Sequence, residues 1–245
     1  MSNTLYSFLG SEFEVINSGF CGGQYNMDFD MERTKQFSEG SAKAMFRVYA
    51  WQPWALSLGY NQKETDIDPT LCQARNIDIV RRPTGGRAVL HANELTYSVV
   101  CPIPEGVSPQ DLYRDIHIFL LEGLNKLAIP DLGFEKSQPD FRNLYKREDR
   151  SVSCFASSAR WEISCQGKKM VGSAQRVFGN TLLQHGSIIL SAGHEQLADI
   201  IATDSDEKRT RLKAWTLEHS IAADEAAGRI ISYDETAESI LNIFN

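Results

Sequence analysis

The chain has 245 residues, enough for one large core, with 42% hydrophobic and 23% charged residues, 17 Gly and 8 Pro. That composition excludes a disordered, collagen-like or low-complexity protein. The net charge of -7 argues against a nucleic-acid partner, which rewards broad basic surfaces. No apolar run is long enough to span a bilayer, and Met1–Gly10 lacks the basic start and apolar stretch of a signal peptide. No membrane association is therefore expected, and a cytoplasmic location is. The five cysteines, Cys21, Cys72, Cys101, Cys154 and Cys165, form no CxxC pair, and no histidines stand at zinc spacing. Neither a disulfide framework nor a metal site is expected.

In chain order, residues 11–18 partly alternate and read as a strand. Asn26 reads as the N-cap of a helix, with Asp28 and Asp30 in its first turn and Met27, Met31 and Phe37 as its apolar contacts. Ala44–Trp51 and Ala55–Tyr60 read as strands broken by Gln52-Pro53, followed by a short helix over Asp68–Arg75 and a strand over Ile77–Arg81. Ala88–His91 and Thr96–Cys101 continue the sheet. Ser108-Pro109 opens the clearest helix, a cap followed by proline at the first helical position. Leu112, Ile116, Phe119, Leu120, Leu124 and Leu127 give it one apolar face before Pro130 closes it. Residues 130–150 are polar and irregular. Trp161–Cys165, Met170–Val177 and Thr181–Leu190 read as three strands joined by turns at Gln166-Gly167 and Gly179-Asn180. After Gly193 the pattern is helical. The reading is an α+β fold: a mixed, largely antiparallel sheet flanked by helices over 1–190, with 191–245 a helical C-terminal extension packed on the same domain.

Two stretches could carry chemistry. Arg82-Pro83-Thr84-Gly85-Gly86-Arg87 places paired glycines between strands, where backbone can approach a ligand and arginine can hold an anion bidentately. Taken alone it is also a common turn, and it matches neither a P-loop nor a dinucleotide fingerprint. Cys154 is either a small buried hydrophobe or a nucleophile. It follows a basic polar stretch and precedes Lys168 and Lys169, and an ammonium nearby favours the reactive thiolate. Cys165 reads as packing. His185 reads as a base, an orienting donor or a satisfied side chain beside a bend, and His91 as an anchor of the Gly-Gly loop. Arginines at 75, 81, 82, 87, 147, 150 and 176 and lysines at 146, 168 and 169 are either scattered solvated charge or a basic rim for an acidic partner. No Gly-x-Ser-x-Gly elbow is present, which disfavours a serine hydrolase.

Arg81-Arg82-Pro-Thr-Gly-Gly-Arg-Ala-Val-Leu-His91, followed by Glu94-Leu-Thr-Tyr-Ser98, resembles the signature of the lipoate/biotin protein ligase superfamily. Ser153-Cys154-Phe155, Gly167-Lys-Lys169, Val171-Gly-Ser-Ala-Gln175 and Leu183-Gln-His-Gly-Ser187 look most like its octanoyltransferase branch. Ala92 and Arg87 depart from the common pattern. The resemblance implies the biotin/lipoate ligase catalytic fold and octanoyl transfer from octanoyl-acyl carrier protein to a lysine of a lipoyl domain. The acceptors implied are the glycine cleavage H protein and the 2-oxoacid dehydrogenase E2. It implies Cys154 as the acyl-accepting nucleophile and Lys169, fifteen residues on, as the group that lowers the cysteine's pKa and accepts a proton. It implies substrate contacts at Arg82, Gly85, Gly86, His91, Tyr97, Gly172, Ser173, Ala174, His185 and Gly186. No cofactor is expected, because a thioester donor needs no ATP. The alternative is an ATP-dependent ligase acting through an acyl-adenylate. A monomer is the expected state.

Overall fold

A computed structural model of the protein describes residues 6–134 and 161–245. Its centre is a five-stranded sheet in the order β1 (Phe13–Cys21), β2 (Ala44–Trp51), β6 (Glu94–Pro102), β11 (Thr181–Ile189), β10 (Val171–Phe178). β1 runs parallel to β2, and the other neighbours are antiparallel. A second sheet sets β3 (Ala55–Leu58) between β4 (Asp78–Arg81), parallel to it, and β5 (Val89–His91), antiparallel. A third joins β7 (Leu132–Phe134), β8 (Ile163–Cys165) and β9 (Lys168–Lys169). The mixed, largely antiparallel arrangement read from the sequence is the one found.

β2 shows why the central sheet is two-sided. Phe46, Val48 and Ala50 enter the main core, while Met45, Tyr49 and Trp51 join clusters on the opposite face. Strand periodicity of two makes that division automatic. Helix α3 (Pro109–Asn125) covers the first face with Leu112, Ile116, Phe119, Leu120 and Leu124, all buried in the main core. Its start is a capping box in which Ser108 Oγ accepts from Asp111 N at 3.1 Å and Asp111 Oδ2 accepts from Ser108 N at 3.2 Å. Helix α1 (Gly23–Ser38) covers the second face.

The first helix starts earlier than its sequence signal. Gly22 is the N-cap, and Gly23 N donates to Asp78 Oδ2 on β4 at 3.0 Å. A Cβ on Gly23 would stand 2.9 Å from Val80 Cγ1, so glycine lets the helix end approach the second sheet. Asn26 is instead buried inside α1 and bonds to tertiary partners, which a cap motif does not announce. The short helix α2 (Pro69–Ala74) starts as read, with Asp68 accepting from Thr70 N and Leu71 N.

Past Gly193 come α4 (Asp206–His219), α5 (Ala223–Ala227) and α6 (Tyr233–Leu241). Ile221, Ala223, Tyr233 and Ile240 lie in the same core cluster as Phe46 and Phe119. Gly123 makes room for α6: a Cβ there would stand 2.9 Å from Ile240 Cγ1. Among the described residues no helix is long and apolar enough to cross a membrane.

Candidate active site

The Gly-Gly loop is held from inside. Arg82 is buried and its five N–H groups reach Ser57 O at 2.9 Å, Ser57 Oγ at 3.1 Å, Gly85 O at 3.0 and 3.2 Å, and Arg87 O at 2.5 Å. The guanidinium read as an anion clamp is thus engaged in bracing the loop that carries it. Gly86, at φ +95°, supplies the left-handed backbone the turn requires. Its carbonyl would lie 2.0 Å from a Cβ on Gly59, so both strands' ends depend on glycine for this approach.

Beside the loop is a small pocket open to solvent, with Met27, Tyr49, Trp51 and Val89 as apolar lining. Of the residues read as substrate contacts, Arg82, His91, Gly172, Ser173, Ala174, His185 and Gly186 line it. Gly85 and Gly86 stand outside that lining and are exposed, with the Gly85 carbonyl held by Arg82. Tyr97 is also outside it, buried in the core behind Ser173.

His91 is fixed on three sides. Nδ1 lies 2.8 Å from Glu94 Oε1, Nε2 lies 2.7 Å from Ser57 Oγ, and the Trp51 ring stacks on it at 4.1 Å. A carboxylate beside Nδ1 places the proton there, so Nε2 accepts from the Ser57 hydroxyl. His91 therefore reaches the Gly-Gly loop through Ser57 and Arg82. His185 reaches it directly, with Nε2 2.6 Å from Thr84 Oγ1 and Nδ1 3.9 Å from Asp30 Oδ2. Burial holds His185 below the ordinary histidine range and keeps it neutral.

Asp30 is the hub beneath His185. It takes Arg47 Nη1 at 2.9 Å, Ser98 Oγ at 2.8 Å and Tyr49 OH at 3.1 Å, with no exposure of Asp30 or Arg47 side chains. Burial pushes its carboxyl up, but His185, Arg47 and Ser98 together bring it below the usual carboxylate value.

A different chain of bonds occupies the opposite face. His117 Nδ1 faces the Tyr113 carbonyl at 2.7 Å, so Nδ1 carries the proton. Nε2 then accepts from Ser173 Oγ at 3.0 Å, Ser173 accepts from Tyr97 OH at 2.7 Å, and Tyr97 accepts from Gln184 Nε2 at 2.8 Å. Every direction in the chain follows from that one carbonyl. Burial pushes His117 down to about 4, and the Lys169 charge adds to this. Gly186 pairs with both Tyr97 and Ser173 in the sheet register and separates them. A Cβ there would meet Ser173 Oγ at 2.4 Å and Tyr97 Cε1 at 2.7 Å, so its bareness lets the two hydroxyls meet across the strand.

Lys169 ends β9, buried, with Nζ 2.8 Å from Glu162 Oε1. Cys154, read as the nucleophile, lies outside the described residues, as do Lys146, Arg147 and Arg150. Cys165 is a buried thiol whose Sγ is 3.0 Å from Pro130 O, and burial pushes its pKa up. Of the basic residues read as a rim, Arg75 and Arg81 pair with Asp199 and Glu64, and Arg176 lies 4.1 Å over the Tyr60 ring.

The sequence reading missed His117, Glu162, Asp30, Arg47 and Ser57. His117 had a signal, a titratable residue on the apolar face of α3 three residues before Leu120. Arg47 had one too, a lone charge in an otherwise apolar strand. Glu162 had none.

A mixed central sheet between α1 and α3, with a motif loop braced at its edge, is the catalytic fold of lipoate protein ligases. A bipartite lipoate protein ligase from Thermoplasma acidophilum aligns with a TM-score of 0.71 at 18% identity, covering 95% of this chain and 82% of that one. A lipoate-protein ligase A bound with ATP aligns at 0.70 and 18%, covering 96% and 84%. The chain belongs to the lipoyl protein ligase A/B catalytic domain family, whose model matches residues 23–245. Its relatives include proteins named octanoyltransferase LipM. The one from Clostridioides difficile is 36% identical over 235 residues, 94% of this chain and 85% of the relative. The one from Geobacillus kaustophilus is 34% identical over 236 residues, 95% of this chain and 84% of the relative.

Proposed function

We propose that this chain is an octanoyltransferase of lipoate assembly. It takes an octanoyl group from octanoyl-acyl carrier protein onto the Cys154 thiol. It then passes the group to a lysine of a lipoyl domain, such as that of the glycine cleavage H protein or a 2-oxoacid dehydrogenase E2. The observation that carries this reading is the name octanoyltransferase LipM on relatives that match over nearly the whole chain.

The chemistry supports it. A thioester already stores the energy of the acyl bond, so exchange between thiols is nearly isoenergetic and attack by an amine runs downhill, without ATP. Lys169 supplies an ammonium on the element that precedes β10, and a cation near a thiol favours the thiolate. Met27, Tyr49, Trp51 and Val89 offer an apolar wall to an alkyl chain, each buried methylene stabilising by about 0.8 kcal/mol.

The test is the intact mass of the protein after mixing with octanoyl-acyl carrier protein in the absence of ATP, beside Cys154→Ala. A gain of one octanoyl group, absent in the variant, is expected. No adduct, together with acylation of a lipoyl domain from free octanoate only when ATP is added, would move the assignment to an adenylate-forming ligase.

A further inference from the structure

The pocket beside the motif loop is rich in polar side chains, yet among the described residues that line it each side-chain proton is already given to a protein acceptor. His91 Nδ1 donates to Glu94 Oε1 at 2.8 Å, and the same oxygen takes the hydroxyls of Ser187 and Thr96. Trp51 Nε1 donates to Thr96 Oγ1 at 2.7 Å, and Ser57 Oγ donates to His91 Nε2 at 2.7 Å. Arg82 directs its N–H groups at Ser57 Oγ and at the carbonyls of Ser57, Gly85 and Arg87. Tyr49 donates to Asp30 Oδ2 at 3.1 Å, and Ser173 to His117 Nε2 at 3.0 Å. His185 meets Thr84 at Nε2 and turns Nδ1 toward Asp30, so either tautomer spends its proton inside the protein.

Backbone N–H groups do not make up the deficit. Apart from Arg82, the lining residues lie in strands or in α1, where N–H groups run in the plane of the sheet or along the helix axis. The Arg82 N–H donates to Leu58 O at 3.0 Å. Acceptors do remain. A hydroxyl oxygen has one proton and two lone pairs. Thr96 and Ser57 each give one bond and receive one, and Ser187 gives one, so each keeps a lone pair. The wall accepts hydrogen bonds and has none to give.

We infer that this pocket sorts acyl chains by the direction of their hydrogen bonds: it takes an alkyl chain, tolerates a hydroxyl on it, and rejects a carbonyl in the same place. The inference rests on the transferase reading for placing the chain in this pocket. A hydroxyl carried in on the chain gives its proton to Ser187, Thr96 or Ser57. A carbonyl leaves the donors of water behind and meets only lone pairs, and a polar group buried unpaired is the costly case. Charge does not enter, because both groups are neutral.

The experiment uses the N-ethyl amides of octanoic, 7-hydroxyoctanoic and 7-oxooctanoic acid, which share one neutral head and carry no thioester. Each is titrated into protein labelled with 13Cε-methionine. The Met27 resonance, assigned by its loss in Met27→Leu, reports occupancy of the pocket that Met27 lines. The hydroxy amide is expected to bind within about tenfold of the plain amide, and the oxo amide at least about tenfold more weakly than the hydroxy amide. Val89→Thr adds one hydroxyl donor to the wall and is expected to narrow the gap between oxo and hydroxy amides by about threefold or more. Ala174→Ser serves in its place if that variant does not fold. Equal binding of the oxo and hydroxy amides would overturn the inference, as would a Met27 resonance that no amide moves. Sorting as expected in a protein that transfers no octanoyl group would remove the transferase reading and leave the selectivity of the pocket standing.

Discussion

Two adjacent rungs of the central sheet carry polar networks of opposite kinds on opposite faces. One rung runs Arg47, Ser98, His185 and Ala174, and under α1 it gathers Arg47, Asp30 and His185. The next runs Val48, Tyr97, Gly186 and Ser173, and under α3 it gathers Tyr97, Ser173, Gln184 and His117. The first network is charged and internally compensated, so its residues fix α1 and the motif loop to the sheet. The second is neutral, with each proton assigned, and it lies beside the Lys169–Glu162 pair. Burial alone therefore does not separate scaffold from site. What separates them is that the first network closes on itself, whereas the second ends beside the buried Lys169–Glu162 pair.

Breaking the charged face has the largest expected effect. Asp30→Ala leaves Arg47 buried without its carboxylate, and urea unfolding is expected to show a loss of about 3–5 kcal/mol. A loss below about 1 kcal/mol would contradict the network's structural role.

Acid sharpens the comparison. His117 is held near 4 in the fold and titrates at its ordinary 6.5 when unfolded. The unfolded chain binds more protons between those values, so stability falls as pH drops through that window, by up to about 3 kcal/mol from this group. His185 has the same sign, so the difference between the unmodified protein and His117→Gln isolates the neutral face. Asp30, lowered in the fold, contributes stability that is present above its ordinary 3.8 and is lost only as pH falls further. Unfolding midpoints from pH 7 to 4 that run parallel in the two proteins would refute the assignment.

Gly186→Ala drives a methyl between Ser173 Oγ and Tyr97, with an expected cost of about 1–3 kcal/mol in thermal or urea unfolding. Tyr97→Phe removes one link of the neutral chain and is expected to cost about 1 kcal/mol. A Tyr97→Phe loss larger than that of Asp30→Ala would invert the comparison.

Local signals made much of the fold legible. β2 has the bounds read from its run of apolar residues, and α3 starts where Ser108-Pro109 places it. α2 lies within the bounds Asp68–Arg75 read for it, with Asp68 as its cap rather than its first helical residue. Failures came where a residue's role is set by distant partners. Asn26 looks like a cap, yet it bonds to Ala50 O and Arg47, and a carboxylate on β4 meets the helix end in its place. Arg82 reads as an anion clamp until the carbonyls and the hydroxyl it reaches are known. Glu162 acquires a role only when a hairpin returns Lys169 to it. The cavity residues at His91, Gly172, Ser173, Ala174, His185 and Gly186 were legible because family motifs name them, and the partners that orient them were not.

The Arg82 brace also bears on affinity. A loop of glycines that had to be ordered by its ligand would forfeit conformational entropy at each encounter. Here the guanidinium has already immobilised Gly85 and Arg87 through their carbonyls, and Ser57 beneath them. The cost of ordering that loop falls on folding, once, and Ser57 and Arg82, which line the cavity, are already held in place by the same bonds.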